Sequence, residues 1–387
     1  MTTLIGLIGA VLVLAIAVGI HEFGHMLAAK RCGVGVIEYS IGLGPVIWHK
    51  RKGDTVYSVR IIPFGGYCAM YGEQSLEAND KGEAEIEQKP TKKHWFRKTP
   101  QELEYKTDWA PEQALTNQVW WKKFIVLVAG PFSNLLLGVI GCLLLTLFFQ
   151  VPSEPTIVSL MDDHPAITSG IQVDDVIVGV EDRDVLTWKD YVLYIDTHPD
   201  TTKDGYEVRV RRGDEIISIH ATRREDDNYF GITIKQTELP SSFGTIIKYT
   251  WNNVTYMFHS VFDSLGMLAR GAASVKDMSG VVGVANMIVT GTEEAATEAT
   301  EAGESAVTAV LSLLCTILAI LSINLGIMNL LPIPALDGGR IVLSLVEGIS
   351  GRRVPTKVEY AINSIGMVLL MGFMVYIVFQ DIMRIFG

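Results

Sequence analysis

Charge is scarce in this chain of 387 residues. Only 19% of its positions are Asp, Glu, Lys or Arg, where soluble proteins carry about 25%. So low a value excludes an ordinary string of soluble domains. Basic charge is the scarcer sign: 32 Lys and Arg face 43 Asp and Glu, a net charge of −11. Phosphate binding needs clustered Lys and Arg, so nucleic acid is excluded as a partner. Cysteine is also sparse. The four residues Cys32, Cys68, Cys142 and Cys315 are scattered. They form neither a disulfide framework nor a Cys-based zinc site.

What the chain does have is long uncharged runs. Residues 2–20, 124–149, 306–331 and 361–380 are nearly free of charge. Roughly 20 apolar residues cross a hydrocarbon core, so four transmembrane helices are expected. The first run has no basic lead-in and no small-residue cleavage site after it, so it reads as a span and not a signal peptide. Basic residues mark the cytoplasmic flanks. They are Lys30, Arg31 and Lys50–Lys52, then Arg97, Lys98, Lys122 and Lys123, then Arg340, Arg352, Arg353 and Lys357. Both termini and residues 151–305 then lie outside. That outer portion holds 12 Lys and Arg against 26 Asp and Glu. The acidity is therefore external, and the inward-facing segments are net basic.

A fold class and an order of segments follow. The expected fold is a multi-span α-helical membrane protein with a membrane-associated β region and one inserted α+β domain. The first helix occupies 1–33. Residues 34–70 alternate and carry turn glycines, and read as short β hairpins. Residues 71–120 form a charged cytoplasmic loop that reads as solvated. The second helix occupies 121–151, with Trp120 and Trp121 as an interfacial anchor. A small, mostly β domain fills 152–238. An amphipathic helix at 239–276 shows one face through Phe243, Ile247, Trp251, Val254, Phe258, Val261, Leu265 and Leu268. Lys248, Asn252, Asn253 and Asp263 fall off that face. Residues 277–305 read as an outer connection, with 292–304 a polar surface segment. The third helix runs over 306–340, a cytoplasmic loop over 341–358 and the fourth helix over 359–387.

The sharpest chemical signal is His21-Glu22-Phe23-Gly24-His25. Histidines at i and i+4 share a helical face and can reach one Zn²⁺, with Glu22 as general base. Chance gives such a pattern in about one chain in a hundred of this composition. Here it continues an apolar run, where ionisable groups are costly and are functional candidates by default. A catalytic zinc needs a third protein ligand. Asp337 is the candidate, after Pro332 and Pro334 break the third helix; capping the segment after Gly338 is its alternative role. Asn324 and Asn329 could hold a substrate strand or a developing oxyanion, or could equally bond between helices. Asn134, after Gly130 and Pro131, reads as structural. His164, His198, His220 and His259 have no ligand spacing, and His49 and His94 read as loop residues.

These motifs resemble a known family. His21–His25 in the first span, Ala129-Gly130-Pro131 with Asn134 in the second, and Asn329 through Gly339 after the third resemble the site-2 proteases, intramembrane zinc metalloproteases, in their bacterial RseP-like form. Ile62–Tyr67 is similar too, and the domain at 152–238 looks like a PDZ domain. The resemblance implies zinc held by His21, His25 and Asp337, with Glu22 catalytic. It implies that Asn324, Asn329, Gly65 and Gly66 bind substrate, with the 34–67 hairpins adding an unwound substrate as a β strand. It implies a multi-pass protein of the bacterial cell (inner) membrane with the PDZ domain and both termini extracytoplasmic. The implied partners are the lipid bilayer and single-span substrates such as anti-sigma factors and remnant signal peptides, screened by the PDZ domain. The chain departs from the pattern in having room for one PDZ domain, in Ser279-Gly280-Val281 where Ser-Gly-Pro is usual, and in its long 71–119 loop.

Two other classes compete. A PDZ-based peptide-binding scaffold with a structural metal would not need a glutamate between the histidines. An ion transporter using Asp337 and the His pair as a relay would favour inverted repeats, and none is visible.

Overall fold

The computed structural model describes residues 2–73, 106, 108–150, 153–161, 164–198, 205–222, 231–240, 242–274 and 278–386. Most of the expected 71–119 loop, including His94, lies outside them. Four helices among the described residues are long and apolar enough to cross a membrane: Thr2–Cys32, Trp120–Phe148, Ala306–Leu330 and Thr356–Arg384. The chain divides into two compact units. One comprises residues 1–137, 279–304 and 321–387; the other comprises 138–278 and 305–320.

The first unit starts with α1 (Thr2–Cys32). At 1.5 Å per residue it is about 46 Å long. Lys30 and Arg31 complement its C-terminal dipole, and Gly33 ends it at φ 79°. Strands β1 (Val36–Lys52) and β2 (Thr55–Met70) follow. Separate short hairpins were expected. Instead two long strands bend back on each other. Residues 36–41 of β1 pair both with 66–70 and with 56–59 of β2, and 46–52 of β1 pair with 55–60. Gly42 and Gly44 make the bend at φ 88° and 83°. Arg60 staples it from within, bonding Glu38, Ser40 and the Gly44 carbonyl.

The described end of the 71–119 loop is packed and not solvated. Trp109, Ala114 and Leu115 are buried, and Trp109 stacks on Tyr71. Helix α2 (Trp120–Phe148) then begins.

In the second unit, β3 (Ser153–Leu160), α3 (Pro165–Ser169), β4 (Val176–Val180), β5 (Arg183–Asp184), α4 (Trp188–Thr197), β6 (Tyr206–Arg212), β7 (Glu215–Ala221) and β8 (Ile232–Glu238) form one small domain. Its sheet order is β7-β6-β4-β3-β8, with β5 on β4. Alternating residues fill the core: Ile157, Ile177, Val180, Val208, Val210 and Ile219. Each such side chain contributes about 1.5–3 kcal/mol by leaving water. Asp190 accepts the Thr187 N–H and Oγ–H and so fixes the start of α4.

Helix α5 (Phe243–Arg270) buries Val254 and Val261 of the expected face, but also polar residues expected to lie off it. Asn252, Asn253 and Asp263 are buried, while Phe243 and Trp251 are 82% and 66% exposed. Asn253 and Asp263 face inward because they have partners there. Asn253 donates to Gln150, and Arg183 grips Asp263 with both guanidinium nitrogens. Apolar periodicity cannot anticipate such pairing.

Two further corrections concern later elements of the chain. Residues 281–301, expected as a connection with a polar end, form α6 (Val281–Glu301). Its buried stripe is Ile288, Thr292, Ala296 and Ala299, too small and polar to give an apolar signal. Gly6 of α1 lets it approach closely: a Cβ there would come within 2.9 Å of the Val289 Cα. The third span, α7 (Ala306–Leu330), stops at the prolines, and the expected 341–358 loop is largely α8 (Asp337–Ser350). Helix α9 (Thr356–Phe386) closes the chain.

Candidate metal centre

Helices α1 and α2 meet where both carry glycine. A Cβ on Gly24 would lie 2.3 Å from the Ala129 carbonyl, and one on Gly130 would lie 2.2 Å from His25 Nε2. The glycines therefore admit the crossing and clear space for the imidazole. Val126, Gly130 and Asn134 recur at i, i+4 and i+8, one face of α2. That face runs along His25 and His21. His25 Nδ1 lies 2.8 Å from the Val126 carbonyl, which can only accept. Nδ1 therefore carries the proton, and Nε2 keeps its lone pair for a ligand.

Asp337 comes from the other end of the sequence. After α7, Pro332 and Pro334 interrupt the backbone, and Ala335 turns it at φ 76°. Gly338 and Gly339 then let the first turn of α8 press against this bend: added Cβ atoms would lie 1.9 Å from the Leu331 carbonyl and 2.6 Å from that of Ile333. The Asp337 side chain is thereby aimed at the histidines.

The three side chains converge. Asp337 Oδ2 is 3.1 Å from His21 Nε2 and 3.2 Å from His25 Nε2, and the two Nε2 atoms are 3.2 Å apart. Their side chains are 9%, 5% and 15% exposed for His21, His25 and Asp337. Zinc–nitrogen and zinc–oxygen bonds of about 2.0–2.2 Å in a tetrahedron imply ligand separations of about 3.3–3.5 Å. The donor set and its spacing fit one Zn²⁺ with a fourth position left open. Among the described residues this is the cluster of His, Cys and carboxylate side chains able to hold a metal.

Glu22 lies beside Gly66: a Cβ there would meet Val18 Cγ1 at 3.4 Å and Glu22 Cγ at 3.7 Å. Tyr39 donates to the Gly19 carbonyl at 2.8 Å and ties the sheet to α1. Gly65 takes φ 116°. The Gly65–Gly66 step thus brings the end of β2 against α1 beside Glu22. Asn324 and Asn329 are half-buried on α7. Five residues apart, they point about 140° from each other.

Three residues that read from sequence as only structural or flanking have specific partners. Asn134 is fully buried with its amide 3.2 Å from His21 Nδ1. Its signal was the four-residue step from Gly130. Arg340, one turn after Asp337, pairs with Glu73 and Glu359, and Lys123 pairs with Glu347 at 2.9 Å. These ion pairs fasten α8 in place.

Apolar spans that carry a buried His-His-Asp cluster with a glutamate between the histidines define a membrane metalloprotease. The model of peptidase family M50 matches residues 9–373. The chain belongs to that family, the site-2 proteases, and is a membrane zinc metalloprotease. Among similar proteins, zinc metalloprotease RasP of Oceanobacillus iheyensis is 30% identical, with the whole of both chains covered. RasP of Shouchella clausii is 29% identical over 98% of this chain and 99% of that protein. RasP of Bacillus licheniformis is 27% identical over 98% and 99%.

Proposed function

We propose that this protein cuts the membrane-spanning segments of single-span proteins, with His21, His25 and Asp337 holding zinc and Glu22 as catalytic base. The observation that carries this reading is the convergence of three ligating atoms at 3.1–3.2 Å, two from the membrane-spanning α1 and one from the start of α8. When bound, zinc polarises a peptide carbonyl and acidifies water. Glu22 takes the proton from the attacking water and passes it to the leaving amide nitrogen. Burial keeps bulk water away and strengthens each of these electrostatic interactions.

A helical substrate hides its carbonyls in hydrogen bonds and must unwind before attack. The 66–70 segment of β2 has strand pairing to residues 36–41 on one side. Its other side offers N–H and C=O groups to an unwound segment. Gly65 and Gly66 let β2 close on Leu43 and the Ser40 carbonyl of β1 beside Glu22, and their backbone is the part that would meet that segment. Asn324 and Asn329 supply amides to hold it or its oxyanion.

The 153–238 domain is read as a PDZ-like filter on the extracytoplasmic side, and the basic flanks put the metal centre near the cytoplasmic face of a bacterial cell membrane. Anti-sigma factors and remnant signal peptides are the substrate class.

Glu22→Gln tests the chemistry. The variant, purified and reconstituted with a single-span substrate, is expected to keep one zinc per chain and to lose about 10²–10⁴ in turnover. Wild-type turnover would overturn the assignment.

A further inference from the structure

We propose that Asn134 is a positioning residue for the metal centre: its side-chain carbonyl accepts the His21 Nδ1–H and so commits His21 Nε2 to zinc. This rests on the reading of His21 as a ligand. His21 Nε2 faces Asp337 Oδ2 and His25 Nε2 at 3.1 and 3.2 Å. A neutral imidazole that ligates through Nε2 carries its proton on Nδ1. That N–H needs an acceptor, because an unmatched buried donor costs about 1–3 kcal/mol. His25 has one in the Val126 carbonyl. For His21 the polar group at this position is the Asn134 amide, 3.2 Å away, in a residue with no exposed surface.

The amide is oriented with Nδ2 toward His21, while its Oδ1 is buried without a partner. With Nδ1 protonated, that orientation sets donor against donor. The oxygen and nitrogen of an amide have nearly the same shape. A half-turn about the last side-chain torsion brings Oδ1 onto the Nδ1–H. One end of the amide is unmatched in either orientation, so the His21 side decides. Both histidines are then oriented by one face of α2, His25 by Val126 and His21 by Asn134, with Gly130 clearing the space between. This gives Asn134 a role that interhelical bonding alone would not require.

The role has a specific requirement: an acceptor, and nothing else. Asn134→Asp supplies one; Asn134→Leu, of similar volume, does not. Zinc affinity is measured by chelator competition on the full-length chain in detergent, together with the melting point of the metal-free protein. Wild type and Asn134→Asp are expected to agree within a few-fold, and Asn134→Leu to bind zinc about 10–100-fold more weakly. A purely packing role reverses this order, since a buried carboxylate harms packing more than leucine does. Equal loss in Asp and Leu variants, or wild-type affinity in Asn134→Leu, would overturn the proposal. His21→Ala separates the two levels. Loss of zinc there with none in Asn134→Leu refutes the positioning role alone. Wild-type affinity in His21→Ala removes the ligand assignment and the proposal with it. If Asn134→Leu does not fold, the comparison of Asn134→Asp with wild type still decides.

Discussion

Gly130 bears no functional group, yet it keeps the space that the His25 ring occupies. A methyl there would sit 2.2 Å from His25 Nε2, far inside contact distance, and the ring would have to leave its place. Gly130→Ala is therefore expected to lower zinc content at least tenfold while helix content by circular dichroism stays unchanged. Retained zinc would show that the α1–α2 crossing gives way easily. The His21–Glu22–His25 pattern was legible because helical period alone puts both rings on one face. Asn134 reads from sequence only as structural; its place beside His21 was not legible, because an amide in an apolar helix has many uses and only its neighbours distinguish them.

Asp175, in the β domain, shows what a single carboxylate contributes with pH. Burial pushes its carboxyl up, but the Arg212 guanidinium and the Gln172 N–H hold it below the usual carboxylate value. Its folded value thus lies under its unfolded one. The stabilisation is present above about pH 4 and is lost as pH falls through the folded value. The melting point of Asp175→Asn is expected to lie below wild type at pH 7, with the gap closing toward pH 3. A gap that does not change with pH would contradict this.

At the scale of elements, α6 is held by a residue of another helix. Asp381 of α9 is buried and accepts the Gly280 and Gly283 N–H groups at 3.0 and 2.8 Å, capping α6 from outside its own sequence. A lost N-cap costs about 1 kcal/mol. Asp381→Ala is expected to speed hydrogen exchange several-fold at the first-turn amides of α6 and to leave α8 unaffected. An unchanged exchange rate would mean the cap is dispensable. The four spans were legible because long uncharged runs have few other uses. Helix α6 was not, since Thr292, Ala296 and Ala299 make up most of its buried stripe and carry little hydropathy. The burial of Asn253 and Asp263 beside Val254 and Val261 on α5 was not legible, because their partners, Gln150 and Arg183, lie about 80 to 100 positions away in sequence. The β1–β2 region was legible as strands but not in its pairing, which depends on a bend at Gly42 and Gly44.

At the scale of the whole chain, the low charge fraction averages unlike parts. Nearly uncharged spans alternate with a strongly acidic 151–305 portion and net basic flanks. The cluster of His21, His25 and Asp337 joins residues more than 300 positions apart. Its two halves were legible separately, one from helical spacing and one from a proline break followed by glycines. Their meeting at 3.1–3.2 Å is a property of the fold.

The central claim is that the cut falls inside a membrane-spanning segment. The most direct measurement is mass spectrometry of the products from a single-span substrate cleaved in sealed vesicles by the full-length protein. Cleavage within the apolar segment, abolished by Glu22→Gln with zinc retained, is the expected result. A cut confined to the water-exposed flanks, or a cut by Glu22→Gln at the wild-type rate, would contradict it.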